Sequence, residues 1–271
     1  MSAHLDTPPA RVRPQPGSAL RLASRAAPVL SVPVVLGLWE AVIRIKEIEP
    51  FVFPSPSGIG IALYNGLWGG SFLSAIQVTL IEIVVGFLFG TLLGLFLGIL
   101  MASITLVHRV MFPWVVAVQT IPKVAIAPLM IVWFGFGVES KILIVGLTCL
   151  FPILVNTMAG LQAAETNRIN LVRALSGTQL QILRFVLLPS ALPYIFAGLK
   201  TAMVLAVIGA IVGEFVGARN GIGVRILQAN FTLDLASVFA LLAILSAIGI
   251  VLNSAIRFAE LKICYWSGRS S

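Results

Sequence analysis

An all-α bundle of six membrane-crossing helices is what this 271-residue sequence predicts, and three observations carry that expectation. Hydrophobic residues make up 59% of the chain and charged residues 10%, where soluble domains carry roughly a quarter charged. Long apolar runs recur, each near the ~20 residues that a helix rising ~1.5 Å per residue needs to cross a ~30 Å hydrocarbon core. These runs lack the in-and-out alternation of barrel strands, and backbone groups in lipid must be satisfied within their own segment, so helices remain.

Residues 1–26 hold Pro8, Pro9, Pro14 and Pro16 among Arg, Ala and Ser, a composition that predicts a disordered tail. The run 27–43 is long, contains Glu40 and is followed by no small-residue cleavage site, so it reads as a retained first span and not as a secretory signal. Five further spans are expected at 78–103, 111–134, 141–160, 193–216 and 235–258. The membrane domain thus covers 27–260, a cytosolic loop occupies 161–192 within it, and 261–271 forms a second tail.

The positive-inside rule orients the bundle. With both termini cytosolic, Arg11, Arg13, Arg21, Arg25, Arg109, Arg168, Arg173, Arg184, Arg257, Lys262 and Arg269 lie inside, whereas Arg44, Lys46, Lys141, Arg219 and Arg225 lie outside. The net charge of +8 is therefore scattered along the ends of apolar runs, a pattern unlike a nucleic-acid-binding patch. Cys149 and Cys264 fall at different depths, which excludes a disulfide between them.

The loop between the fourth and fifth spans has its own pattern. Ile169, Val172 and Leu175 recur at threefold spacing to give an apolar stripe, with Arg168 and Arg173 elsewhere. Ser176 and Gly177 interrupt it, and Thr178 is placed to cap a second short helix whose Leu180, Leu183 and Leu187 form a new apolar face. Pro189 is expected to end that helix by removing a backbone donor, and Pro193 suits the first turn of the next span. On pattern alone this is either a docking surface for a soluble partner or a hairpin resting on headgroups.

Inside the spans, Gly86, Gly90, Gly94 and Gly98 form a smooth ridge that permits close helix contact, within one subunit or across a dimer. Pro122 and Pro128 break the ladder of the third span, and free carbonyls at membrane depth are tolerated only against protein or a wet cavity, so that span is a candidate wall of a transport path. Ionisable groups at a span centre cost ~2.5–3.5 kcal/mol each on insertion scales. Lys200 and Glu214 are expected to reach an interface by snorkelling, and Glu40 and Glu82 to lie near outer ends. Lys123, beside Pro122, either attracts an anionic solute or pairs with Glu40 or Glu82. Gln119, Thr120, Asn156, Thr157 and Asn253 either line a path or tie helices together.

No phosphate-cradling G-x-x-x-x-G-K-[ST] loop or H-E-x-x-H pair occurs, and His4 and His108 stand alone. Catalysis, a metal site and a cofactor held by this chain are therefore not expected.

The loop resembles the cytoplasmic loop of bacterial ABC importer permeases, whose signature runs E-A-A, three residues, G, nine residues, I-x-L-P. In that register Asn170, Leu171 and Val172 stand for the first triplet, Ser176 for the glycine, and Val186, Leu188 and Pro189 for the end. The acid and both alanines are absent, and glycine appears one position late as Gly177. Three further stretches are similar to permeases for sulfonates, taurine, nitrate and related nutrients: F-P-S-P-S-G at 53–58, T-I-P-K-V-A-I-A-P-L-M-I-V-W-F-G-F-G from Thr120 with S-K-I-L following at Ser140, and G-E-F-V-G-A-R-N-G-I-G at 213–223.

The resemblance implies the type I importer fold in a bacterial inner membrane. It implies coupling helices at Asn170, Leu171, Val172, Arg173, Ser176, Gly177, Leu180, Val186, Leu188 and Pro189 that dock on separate ATPase subunits carrying ATP and Mg. It also implies a second permease subunit, expected to be an identical copy, an extracytoplasmic binding protein that delivers the solute, and a path past Gln119, Thr120, Pro122, Lys123 and Asn156. An ion-gradient-driven secondary transporter and a membrane scaffold are the alternatives from other classes.

Overall fold

The computed structural model describes residues 18–266, with side chains from Ser31 onward. The helices run α1 (Ser18–Ile45), α2 (Pro56–Trp68), α3 (Leu73–Ser103), α4 (Thr105–Thr120), α5 (Lys123–Phe134), α6 (Val138–Gln162), α7 (Thr166–Ala174), α8 (Gln179–Ile182), a π-helical turn at Leu183–Leu187, α9 (Leu188–Gly217), α10 (Ile222–Phe231) and α11 (Leu235–Ile263). No strand occurs among the described residues.

Among these, α3, α6, the continuous run Gln179–Gly217 and α11 are each long and apolar enough to cross a membrane. The pair α4 and α5 qualifies as a fifth span, bent by 94°. The count is therefore four, or five with the bent pair, against the six expected. The remaining expected span falls on α1, a 28-residue helix that begins upstream of residue 27; residues 1–17 of the expected tail lie outside the described part.

The bundle is built around α6. A Cβ added at Gly86 would lie 2.5 Å from Val145 Cβ, at Gly90 2.4 Å from the Gly146 carbonyl oxygen, at Gly94 2.8 Å from that of Leu150, and at Gly98 2.8 Å from Thr157 Cβ. All four partners belong to α6, so the ridge packs within one subunit. Gly146 returns the contact from α6, since a Cβ there would meet Phe89 at 2.6 Å.

The other side of α6 receives α9 through small residues as well. A Cβ at Gly160 would meet the Ala191 backbone at 2.9 Å, and one at Gly198 the Pro152 carbonyl at 3.0 Å. Ile83 and Phe87 from α3, Val145, Cys149 and Ile153 from α6, and Ala202, Met203, Ala206 and Ala210 from α9 fill the shared core. Dispersion, not hydrophobic exclusion, holds such a core in lipid, and it demands this closeness.

Several local expectations change in the folded chain. Pro189 does not end a helix. Leu188 N–H bonds to the Leu183 carbonyl five residues back, so the ladder slips by one residue ahead of the proline and continues into α9. Pro193 accordingly sits inside α9 and not in its first turn. The inserted residue also turns the apolar face, burying Ile182 and Val186 and leaving Leu183 and Leu187 half-buried while Leu180 points outward.

The charges also find partners that the sequence did not reveal. Lys200 bonds Glu260 of α11 at 3.0 Å instead of snorkelling. Glu214 and Lys141 are fully buried, neither of them in outer water. Glu40 accepts from Ser57 N and Oγ at 3.1 and 2.8 Å and pairs with Arg44, which ties α1 to the start of α2. Lys123 pairs with neither Glu40 nor Glu82; its ammonium donates to the Gln119 carbonyl at 2.9 Å and lies over the Phe151 ring.

The seam makes a direct prediction. Gly90→Leu and Gly94→Val overpack the α3–α6 contact and should each destabilise the fold by at least ~1–3 kcal/mol. Gly60→Leu, at an α2 position with nothing within 4 Å, should be tolerated. The yield and melting temperature of monodisperse purified protein check this, and equal melting of all three variants would remove the seam from the account.

Candidate coupling hairpin and transport path

The connection from α6 to α9 is a helical hairpin closed by two local devices. At the end of α7, Gly177 N–H bonds to the Val172 carbonyl at 2.9 Å and Ser176 N–H to that of Arg173 at 2.9 Å. This is the Schellman arrangement, which needs a left-handed residue between. Ser176 supplies it with φ of 60°, in the position where the resembled signature carries glycine. Gly177 follows because a Cβ there would lie 2.4 Å from Val172 Cγ1.

The second helix then starts on a capping box. Thr178 Oγ1 accepts the Gln181 N–H at 3.3 Å, and the Gln181 side chain accepts Thr178 N–H at 2.7 Å. The expected cap at Thr178 is therefore present, and the turn between the two helices is fixed by the backbone bonds at its start and the capping side chains at its end.

The hairpin is rooted by Ile182 and Val186, which are buried. Beside them, Leu183, Leu187 and Leu188 pack on a cluster of Leu161, Ala191 and Ile195. Large apolar side chains lie on its outer surface: Leu171 is 62% exposed, Leu175 75%, Leu180 71% and Phe185 65%. Ile169 and Val172 are half-buried, while Asn170, Arg173 and Ser176 are exposed among the leucines. Arg168 is held by Glu165 at 2.9 Å. The sequence reading missed Phe185; no periodic signal marks it, because the π turn sets its direction.

The bend between α4 and α5 gathers four of the expected path residues. Ile121 and Pro122 separate the helices, and Pro122 caps α5. Gln119, Thr120 and Pro122 are exposed, Lys123 is half-buried, and Thr120 Oγ1 turns back to the Ala117 carbonyl at 2.7 Å. The corner thus presents polar groups where two apolar helices meet. Asn156 lies on α6. Its amide donates to the Pro152 carbonyl at 2.7 Å, and its Cβ lies against Gly198 of α9, where it serves helix packing.

The chain is thus a multi-pass helical bundle with a broken span and a capped hairpin that exposes leucines among polar groups. Residues 90–263 match the family described as binding-protein-dependent transport system inner membrane component, and the chain belongs to that family.

Among its relatives, a probable ABC transporter permease protein of Haemophilus influenzae is 36% identical over 228 residues, covering 83% of this chain and 91% of that one. The formylaminopyrimidine transport permease protein ThiX of Halalkalibacterium halodurans is 35% identical over 239 residues, with 88% and 95% covered. The taurine transport system permease protein TauC of Escherichia coli is 28% identical over 240 residues, covering 87% of each. The fold is similar to that of a chain in the inward-facing MetNI methionine ABC transporter, with TM-score 0.60, 24% identity, and 73% of this chain and 96% of that one covered. The chain is thus a permease subunit of an ABC importer, with the all-α fold of that class.

The hairpin turn is open to test. Ser176→Gly removes a left-handed side-chain penalty of ~1–2 kcal/mol, less the added freedom of glycine in the unfolded chain, and should slow proteolytic cutting of the hairpin. Gly177→Ala should speed it by forcing Val172 away. Equal cutting rates in both variants would contradict the turn geometry.

Proposed function

We propose that the hairpin is the seat of a separate ATPase subunit, and that this chain pairs with an identical copy to enclose the path of a small polar nutrient. The observation that supports this most is the apolar surface of Leu171, Leu175, Leu180 and Phe185 on a hairpin otherwise studded with polar groups. Covering apolar surface is worth ~25 cal/mol per Å², and the tight cap at Ser176 makes the hairpin stiff enough to transmit a push. Both termini and the hairpin then face the cytosol, where ATP and Mg are available to the partner.

On the opposite side, a soluble binding protein delivers the solute. The α4–α5 corner, with Gln119, Thr120, Pro122 and Lys123, forms a wall of the path, and Lys123 favours an anion there. Solutes of the kinds named for the relatives, a sulfonate such as taurine or a heterocyclic vitamin precursor, fit this reading, as does nitrate. ATP closing the ATPases shifts the bundle between two states through differential affinity for them.

The test uses proteoliposomes containing the permease and its ATPase, with binding protein and solute outside. Leu175→Asp and Leu180→Asp should leave the helices inserted, abolish stimulated ATP hydrolysis and lower uptake at least tenfold, the equivalent of ~1.4 kcal/mol. Undiminished uptake in both variants, or uptake by wild type without any ATPase, would overturn the reading and favour a gradient-driven transporter.

A further inference from the structure

At the ends of α3, α6 and α9 remote from the hairpin lies a buried polar cluster that the proposed path and hairpin do not use. Thr79 and Glu82 come from α3, Lys141 from α6 and Glu214 from α9, and none is more than 1% exposed. Thr79 Oγ1 donates to one oxygen of Glu214 and accepts the Ile222 N–H at 2.8 Å, while Gly223 N–H donates to the other Glu214 oxygen. Gly221, at φ of 138°, and Gly223 leave room for this carboxyl, since a Cβ at either would strike it. The cluster therefore clamps the turn into α10 against the bundle.

Its charge is incomplete. Lys141 Nζ donates to the carbonyls of Phe136, Gly137 and Gly217 at 3.0, 3.2 and 2.7 Å. An ammonium has three hydrogens, so none is left for a carboxylate. Glu82 lies one helical turn beyond Thr79, on the face of α3 that meets Glu214, and its Oε2 is buried with no hydrogen-bond partner.

Two ionised carboxylates only accept, so a bond between them requires a hydrogen. The surrounding elements supply none. Glu139 at the start of α6 and Arg219 in the turn are exposed, Arg225 of α10 is turned to Gln228 at 3.4 Å, and exposed Asp234 caps α11 through Ser237 N at 3.1 Å, so none of them belongs to the buried set. Two carboxylates against one ammonium leave one negative charge, and one proton closes that balance.

We propose that Glu82 and Glu214 hold one exchangeable proton between them, and that this proton latches the 217–223 turn and α10 to α3, α6 and α9. Losing it to outer water leaves two negative groups face to face, with the Glu214 side that also receives Thr79 and Gly223 pushed away, and the turn opens. The latch needs no ATPase and stands apart from the hairpin's role.

Purified full-length protein in lipid nanodiscs tests this by two measurements. Infrared difference spectra of the wild type should show a protonated-carboxyl stretch at neutral pH that is lost in alkaline buffer and absent from Glu82→Gln, whose amide replaces the shared hydrogen. Hydrogen exchange across 217–231, corrected for the intrinsic pH dependence of exchange, should lose protection in alkaline buffer for the wild type and stay protected in Glu82→Gln. No protonated-carboxyl stretch, or the same pH-dependent loss of protection in both proteins, overturns the proposal. If Glu82→Gln does not fold, the wild-type spectrum alone decides, its stretch supporting the latch and its absence refuting it.

Discussion

The contact between the glycine face of α3 and the backbone of α6 governs the rest of the molecule. With no Cβ at Gly86, Gly90, Gly94 and Gly98, the two helices approach until backbone oxygen and side-chain carbon of α6 occupy the space where methyl groups would be. In lipid, where tails are as apolar as leucine, such closeness is the principal source of attraction between helices. Because α9 meets the other side of α6 through Gly160, Gly198, Ala202 and Gly209, three spans become one stiff unit with α6 inside it.

That stiffness gives meaning to both ends. At one end the α6–α9 connection cannot splay, so the hairpin rooted by Ile182 and Val186 is held against the bundle with its leucines outward. At the other, Glu82, Lys141 and Glu214 are brought together from three helices and bind the turn into α10. The peripheral parts differ: α11 keeps most of its surface free and joins α9 chiefly through apolar side chains and the Lys200–Glu260 pair. The broken span α4–α5 leans on α6 through Val115, Phe151 and Lys123. A rigid centre with a bent, less embedded span is a sensible division of labour for a transport subunit.

What was legible in the sequence follows the same physics. Features set by the backbone of one segment could be read: the glycine period of α3, the break at Pro122, the cap at Thr178 and the helical fold class. Features that depend on which helices adjoin could not. Lys141 looked like an outer-surface cation because its partners are backbone carbonyls, which no residue type announces, and one of them, Gly217, is distant in sequence. Lys200 and Glu260 are sixty residues apart. Pro189 misled for another reason, since a π turn carries the backbone ladder past the proline. At Ser176 the resemblance pointed to a glycine-like residue, and its left-handed conformation gives the physical cause.

The role proposed for the hairpin is to be gripped by a partner that burns nucleotide. Cross-linking measures it most directly: single cysteines placed at Leu171 and Leu175 in a variant with Cys149 and Cys264 replaced, in membranes containing the permease with its ATPase. A covalent adduct with the ATPase is expected from both positions, changing in yield between ATP-bound and nucleotide-free states. Efficient modification of the same cysteines by a membrane-impermeant reagent outside intact cells, with no ATPase adduct, would contradict it.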